Sequence, residues 1–144
     1  MNQNWNSIIT SDYKTALAIR RALENAEFDE AEIGINYLLE SMSQEHKKAL
    51  SSQLIRLIKH LIKWFSQPEK RTSSWAATIK NARYEILDIQ ELRPSLNRKY
   101  IESIWEKVFA RAKDEAETEM EIDSKVENLT WEQVFEDKYE IPKK

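Results

Sequence analysis

The chain has 144 residues, of which 41% are hydrophobic and 33% are charged, and its formal net charge is −3. This mixture is typical of one folded domain with a charged surface and argues against a disordered chain. The absence of cysteine excludes disulfides and thiolate metal sites, and the single glycine argues against a strand-rich fold. No signal-peptide pattern is present, and no apolar run approaches the roughly 20 residues of a membrane span. We therefore expect a soluble, cytoplasmic, all-α protein that does not enter a membrane.

Two helices are predicted in the N-terminal third. The first covers about residues 12–25, with an N-cap at Thr10 or Ser11. Its expected core residues are Tyr13, Leu17 and Leu23. The second begins at Asp29, and Glu32 completes a capping box. Its apolar stripe, which we expect to be buried, has helical spacing and consists of Ala31, Ile35, Leu38, Leu39 and Met42.

The third predicted helix runs from a cap at Ser43 to about Ser66 and is the clearest element. At about 100° per residue, half of its circumference is apolar and the other half is polar. The apolar half consists of Leu54, Ile55, Leu57, Ile58, Leu61, Ile62, Trp64 and Phe65. A stripe this wide needs several packing partners, so we expect this helix to be central.

Two more long helices and one short helix follow. Thr72 or Ser73 caps the fourth helix, which ends near Leu92 because a proline follows two residues later. The fifth runs from near Ser95 to about Met120, with charged last turns expected in solvent.

The C-terminal segment 121–144 is predicted to be a polar linker followed by a short helix docked on the body. In it, Thr130 and Gln133 form a capping box at the start of the short helix, which covers residues 131–135. The predicted architecture is therefore a single all-α domain over residues 1–144, a bundle of five longer helices with a central third helix and a short C-terminal helix.

Charge is unevenly distributed along the chain. Residues 1–46 hold 3 Lys or Arg and 8 Asp or Glu, residues 47–100 hold 12 and 4, and residues 101–144 hold 7 and 13. The basic middle is centred on Lys59, Lys63, Lys70, Arg71, Lys80 and Arg83. One interpretation is a site for nucleic acid, a nucleotide or an acidic partner. The other is that the acidic flanking helices neutralise the basic ones across helix contacts.

A motif in the middle of the chain resembles a known family. His60 to Trp64 reads HLIKW, Gln67 to Arg71 reads QPEKR, and Ser74 to Ile79 reads SWAATI, with Arg83 shortly after. These residues are similar to the H-L-L-K-W, Q-P-E-x-R and S-W-x-x-T-I pattern of the bacterial domain-of-unknown-function family number 29 (DUF29). Further similarity lies at residues 38–42, 92–96 and 130–134, whereas Ser43 stands where many members carry glycine. The resemblance implies an all-helical fold and a bacterial, cytoplasmic protein, and it implies no activity.

The same motif supplies the candidate binding residues. They could meet where the third and fourth helices are joined, and they are His60, Lys63, Trp64, Gln67, Arg71, Trp75 and Arg83. Arginine forks suit phosphate or carboxylate, and tryptophan rings can stack on a base. The alternative is a structural corner, in which Gln67 and Arg71 bind the free carbonyls at the helix end and the tryptophans fill the gap.

Catalysis has little support in the sequence. The two histidines, His46 and His60, are fourteen residues apart, and no metalloprotease, phosphate-loop or nucleophile-elbow motif occurs. We expect neither a metal nor another cofactor. The first hypothesis is a non-enzymatic helical module that binds another protein, and the alternative is a nucleic-acid or nucleotide binder that uses the basic middle. Homo-oligomerisation stays open.

Overall fold

The computed structural model describes residues 12–143, and all regular structure in this range is helical, so the all-α class is confirmed. The elements are α1 (Asp12–Glu24), α2 (Phe28–Ser66), a short 3-10 helix (Pro68–Lys70), α3 (Ser73–Leu92), α4 (Arg98–Met120) and α5 (Trp131–Phe135). No helix in the described range has the length and apolar character needed to cross a membrane. The chain divides into two compact units, Met1–Lys47 and Lys48–Lys144, and α2 contributes residues to both. The assignment of residues 1–144 to one domain stays a prediction.

The predicted boundary between the second and third helices is wrong, because α2 is one helix of 39 residues. Ser43, the expected N-cap, lies inside it with helical neighbours on both sides. No proline occurs between Phe28 and Ser66, and the residues after Ser43 include the strong helix formers Glu, Lys, Ala and Leu. A serine caps a helix only where the chain before it leaves the helical conformation, and nothing here forces it to do so.

The first unit contains α1 and the N-terminal half of α2, which run antiparallel. Ile19, Ala22 and Ala31 form its small buried cluster near the turn, and at the far end the Ser41 hydroxyl donates to an Asp12 carboxylate oxygen at 3.1 Å. The turn contains Ala26 in the left-handed region, with φ of 57°. The N-cap predicted at Thr10 or Ser11 lies outside the described residues.

Most of the core predicted for the first two helices is exposed instead. Tyr13 and Leu23 of α1 are 72% and 48% exposed, and Ile35, Leu39 and Met42 of α2 are 42%, 55% and 38% exposed. Two helices cover only the stripes that face each other, and here those stripes are narrow and rich in small residues. The remaining large apolar side chains of these two helices named above are therefore exposed.

The prediction that the apolar half of residues 54–65 lies in the core is confirmed in the second unit. From Leu50 to Ile62, six apolar side chains of α2 have no exposed surface: Leu50, Leu54, Leu57, Ile58, Leu61 and Ile62. They belong to one cluster with buried residues from α3, α4 and α5, such as Ile86, Ile101 and Val134. Burying six such side chains favours folding by about 1.5–3 kcal/mol each before the entropy of ordering is subtracted.

The starts of α3 and α5 are as predicted. The Thr72 hydroxyl accepts the backbone N–H of Trp75, which caps α3. At α5, the Thr130 hydroxyl accepts the N–H of Gln133 while the Gln133 side chain accepts the N–H of Thr130, so the predicted capping box is present.

The two ends of α4 differ from the prediction. Asn97, rather than a residue near Ser95, caps the helix through a hydrogen bond from the N–H of Tyr100. Pro94 and Ser95 instead form a turn that buries Leu96. The charged last turns do not extend into solvent, because Ala112 and Ala116 are fully buried there. The helix ends at Met120, and its C-cap is Glu121, a non-glycine residue with φ of 61°.

Candidate functional site

The candidate residues begin at the C-terminal end of α2, where a proline leaves one backbone carbonyl without its helical partner. In a continuing helix, the carbonyl of Trp64 would accept the N–H of residue 68, but Pro68 has none. The Arg71 side chain takes that role and donates Nε–H to the Trp64 carbonyl at 2.8 Å. Its guanidinium also lies 4.7 Å from the centre of the Trp64 ring. Arg71 thus closes the helix end and stacks on the buried indole.

Arg83, on α3, performs a similar role for α5. Its Nε–H and Nη2–H donate to the carbonyls of Val134 and Gln133 at 2.8 and 3.2 Å. These carbonyls belong to the last residues of a five-residue helix, and the helix does not continue far enough to supply backbone N–H groups that would bond to them. Burial lowers the pKa of the guanidinium from its ordinary value, although arginine remains charged. Arg83 therefore holds the C-terminal segment through two charge-assisted hydrogen bonds.

Tyr139 joins the two arginine contacts, and the sequence analysis missed it. Its ring packs edge-on against Trp64 and Phe65, with ring centres 5.8 and 5.7 Å apart. Its hydroxyl donates to the carbonyl of Gln133 at 2.7 Å, and the Arg83 guanidinium lies 5.6 Å from its ring centre. The signal that would have identified it is a lone aromatic residue in the otherwise charged stretch 136–140.

The basic residues of α2 are paired with the acidic end of α4. Lys63 Nζ lies 3.0 Å from one Glu119 oxygen, and Lys59 Nζ lies 3.0 Å from the other and 3.4 Å from Glu115. Burial alone would raise the pKa of Glu119, but the two lysines lower it below its ordinary value. Burial alone would lower the pKa of Lys59, but Glu119 and Glu115 raise it. These contacts support the interpretation in which acidic and basic helices neutralise each other.

His60 and Trp75 have separate local partners. The His60 ring is half-buried, and its Nδ1–H donates to the carbonyl of Arg56 at 2.8 Å. Burial, followed by the nearby cations Lys63, Lys59 and Arg56, lowers the pKa of His60. Trp75 is half-buried at the edge of the core. Within the part of the chain that the structure describes, neither side chain hydrogen-bonds to a candidate arginine.

The candidate residues therefore form two sets. Trp64, Arg71 and Arg83 are connected through Tyr139, and Gln67 is buried at the same helix end. Lys63 instead faces α4, and His60 bonds to its own helix. In the first set, Arg71 binds a backbone carbonyl at the end of α2 and Arg83 binds two carbonyls of the C-terminal segment, so both arginines are suited to a structural role. Their role in ligand binding stays a prediction.

A small cleft lies elsewhere in the second unit. It has a volume of about 190 Å³ and is lined by Arg98, Glu102, Trp105, Leu129 and Trp131. Arg98 already pairs with Glu102 at 2.8 Å and stacks 4.5 Å from the centre of the Trp131 ring. Sites for small molecules usually measure about 300–1,000 Å³. Among residues 12–143, no group of three or more His, Asp or Glu side chains is arranged to hold a metal ion.

A second surface that the sequence analysis did not single out lies on the first unit. We define the hairpin face as Leu23 of α1 with Phe28, Ile35, Leu39 and Met42 of α2, which are 38–65% exposed. At about 100° per residue, its four α2 residues fall within a 60° arc. That arc adjoins the sector of Ala31 and Leu38, which packs on α1. On α1, Leu23 lies next to the residues Ile19 and Ala22 that face α2, just as the α2 stripe lies next to the residues that face α1. Because the two helices are antiparallel, Leu23 and the stripe are on the same side of the pair.

Comparison with known protein families identifies the family of this chain. The model of the family described as Domain of unknown function DUF29 matches residues 16–140. No curated protein and no solved structure matches the chain.

Proposed function

Since the chain belongs to the DUF29 family, whose description names no activity, we propose from its own surface that it is a helical interaction module that binds a helix of a different protein. One observation supports this proposal: the exposed apolar hairpin face beside the small core that the described helices of the first unit form. Contiguous exposed apolar surface bordered by polar residues is typical of protein interaction sites. A cytoplasmic setting in a bacterium is part of the proposal and rests on the family resemblance.

The dimensions of the face suit a helix as its ligand. From Phe28 to Met42 the helix rises about 1.5 Å per residue, so the stripe is roughly 21 Å long. This length matches about four turns of a bound helix whose apolar residues recur every three or four positions. Ala22 and Ala31 are buried between α1 and α2, and such small side chains let two helices pack closely.

The internal contacts of the second unit favour this function over nucleic-acid binding. Lys59 and Lys63 pair with glutamates, and Arg71 and Arg83 donate to backbone carbonyls. A nucleic-acid site needs cations that are available to phosphate groups. Four of the six cations at the centre of the basic middle therefore already have other partners, whereas Lys70 and Lys80 are exposed.

Site-specific photo-crosslinking in the source cell tests the proposal. A photoreactive phenylalanine analogue at position 39 samples the hairpin face, and the same analogue at position 33 is the matched control. Ile33 is 42% exposed on the same helix, but it lies about 120° around the axis from Leu39. We expect position 39 to crosslink to a helical segment of one other protein, and Leu39→Asp to abolish that complex while Ile33→Asp preserves it. Equal crosslinking from both positions, or crosslinking only to a second copy of this chain, would overturn the proposal.

A further inference from the structure

We infer that the exposed face of α3 packs antiparallel against α3 of a second copy of this chain and forms a weak dimer. The face contains two large apolar side chains, Tyr84 and Leu87, which are 55% and 59% exposed. Exposed Lys80 lies about one turn before Tyr84, and exposed Glu91 lies about one turn after Leu87. We name these four residues the α3 stripe. They belong to the second unit and not to the hairpin face, so the inference goes beyond the proposed function.

The α3 stripe occupies one side of its helix. Measured from Tyr84 at about 100° per residue, Glu91 lies at roughly −20° and Lys80 at roughly −40°. Leu87 lies at roughly −60°, so both charges lie between the two apolar side chains within an arc of about 60°. The stripe is spaced by four, three and four residues, which is the spacing of the contact positions in a coiled coil. The buried residues of α3 lie at roughly 160° to 220°, and they are Ile79, Ala82 and Ile86.

The α3 stripe is complementary to itself when the second helix runs in the opposite direction. A two-fold axis midway between residues 84 and 87 places Tyr84 of each copy opposite Leu87 of the other. Lys80 and Glu91 lie four residues outside this central pair, one on each side. The same axis therefore places Lys80 of each copy opposite Glu91 of the other. One antiparallel contact thus contains two apolar pairs and two pairs of opposite charge.

This charge arrangement selects a second copy in the antiparallel direction. Within residues 12–143, no ion pair of the single chain involves Lys80 or Glu91. A second copy neutralises both charges at once, whereas a parallel pairing would set lysine beside lysine and glutamate beside glutamate. Polar residues at the contact positions of a coiled coil reduce its stability but specify how the helices pair. A helix of another protein would need the same residue types in reverse order to match as well.

The charges that border the α3 stripe are compatible with this pairing. Asp88 lies at roughly 40° from Tyr84. In the two-fold arrangement it is about 4.5 Å along the axis from the level of Lys80 of the second copy, and about 7.5 Å from that of the other Asp88. The nearer charge therefore attracts it. On the other border, Arg83 already donates to the carbonyls of Gln133 and Val134.

The small size of the contact limits its affinity. Stable interfaces bury about 1,200–2,000 Å² in total, with roughly 20–30 residues on each side, and four side chains from each copy cover far less. We therefore expect a Kd between roughly 1 μM and 1 mM. Dimerisation should weaken as the salt concentration rises, because the paired charges are exposed.

Sedimentation equilibrium of the full-length protein at concentrations up to about 1 mM measures this Kd. Lys80→Glu replaces two pairs of opposite charge with two pairs of like charge. Two lost attractions and two gained repulsions, at a factor of about two each, predict a Kd roughly 16-fold weaker. Glu91→Lys should weaken the dimer equally. The double variant Lys80→Glu/Glu91→Lys restores opposite charges, so its Kd should lie within about twofold of the wild type.

Two control variants locate the contact. Glu85→Lys also reverses an exposed charge on α3, but Glu85 lies about 130° from the centre of the α3 stripe, so the Kd should not change. Leu39→Asp alters only the hairpin face and should leave the Kd unchanged as well. Circular dichroism checks that every variant retains its helix content.

Three results would each overturn the inference. The first is a wild type that stays monomeric at about 1 mM. The second is a double variant that dimerises no better than Lys80→Glu alone, because the two charges would then not face each other. The third is a loss of the dimer in Leu39→Asp, which would place the contact on the hairpin face.

Discussion

Replacing Arg83 with alanine should detach the C-terminal segment from the second unit. The change removes two charge-assisted hydrogen bonds to the carbonyls of Val134 and Gln133 and the contact with the Tyr139 ring. Hydrogen bonds to charged groups contribute about 1.5–3 kcal/mol each, and an arginine–aromatic contact contributes about 0.5–1 kcal/mol. Because Arg83 is only partly buried, water will replace some of these contacts, and we expect a net loss of about 2–4 kcal/mol in the free energy of unfolding.

Guanidinium unfolding, followed by circular dichroism, measures this loss, and amide hydrogen exchange locates it. Exchange should accelerate most at the α5 amides, including that of Val134. Arg83→Lys keeps the charge but cannot bond both carbonyls with a planar fork, so its loss should be intermediate. Lys80→Ala, an exposed change on the same helix, should cost less than about 0.5 kcal/mol. If Arg83→Ala is as stable as Lys80→Ala, the assigned role of Arg83 is incorrect.

Three further predictions concern the second unit. Thr130→Ala removes the hydroxyl of the capping box and should lower the unfolding free energy by about 1 kcal/mol, whereas Thr118→Ala, at an exposed position in the last turn of α4, should cost less. Folding lowers the pKa of Glu119, so the ionised carboxylate should stabilise the protein fully above pH 4.5 and lose this effect as the pH falls through the lowered pKa. The free energies of unfolding of Glu119→Gln and the wild type should therefore be equal only in acid. The pKa of His60 is also lowered, so protonation favours the unfolded chain, and the wild type should lose stability relative to His60→Gln as the pH falls below 6.5. An NMR titration that puts the pKa of His60 above 6.5 would contradict this last prediction.

The elements most accurately predicted from sequence were those fixed by local chemistry. The caps at Thr72 and Thr130 depend on side chains within three residues, and the central segment depends on an apolar stripe too wide for one partner. Such signals fail at Ser43, where a helix boundary was predicted and α2 continues without interruption. A residue that could cap a helix does not start one where the segments on both sides favour helix.

Local sequence patterns could not predict contacts between residues that are distant in sequence. Lys63 and Glu119 are 56 residues apart, and Arg83 and Val134 are 51 apart. Charge distribution suggested that acidic and basic helices pair, but it named no residue pair. Helical periodicity likewise identified the apolar stripe of residues 31–42 without showing how much of it a single neighbouring helix covers. The uncovered part of that stripe, Ile35, Leu39 and Met42, belongs to the hairpin face.

Glycine is usually found at left-handed positions at helix ends and avoided inside helices, and this chain shows the opposite arrangement. Its single glycine, Gly34, is buried inside α2, where glycine costs about 1 kcal/mol relative to alanine. Ala26 and Glu121 occupy left-handed positions at helix ends, where a side chain costs about 1 kcal/mol or more. The chain thus carries a conformational penalty at three positions, and we expect glycine at position 26 or 121 to raise the free energy of unfolding without altering any contact of the hairpin face.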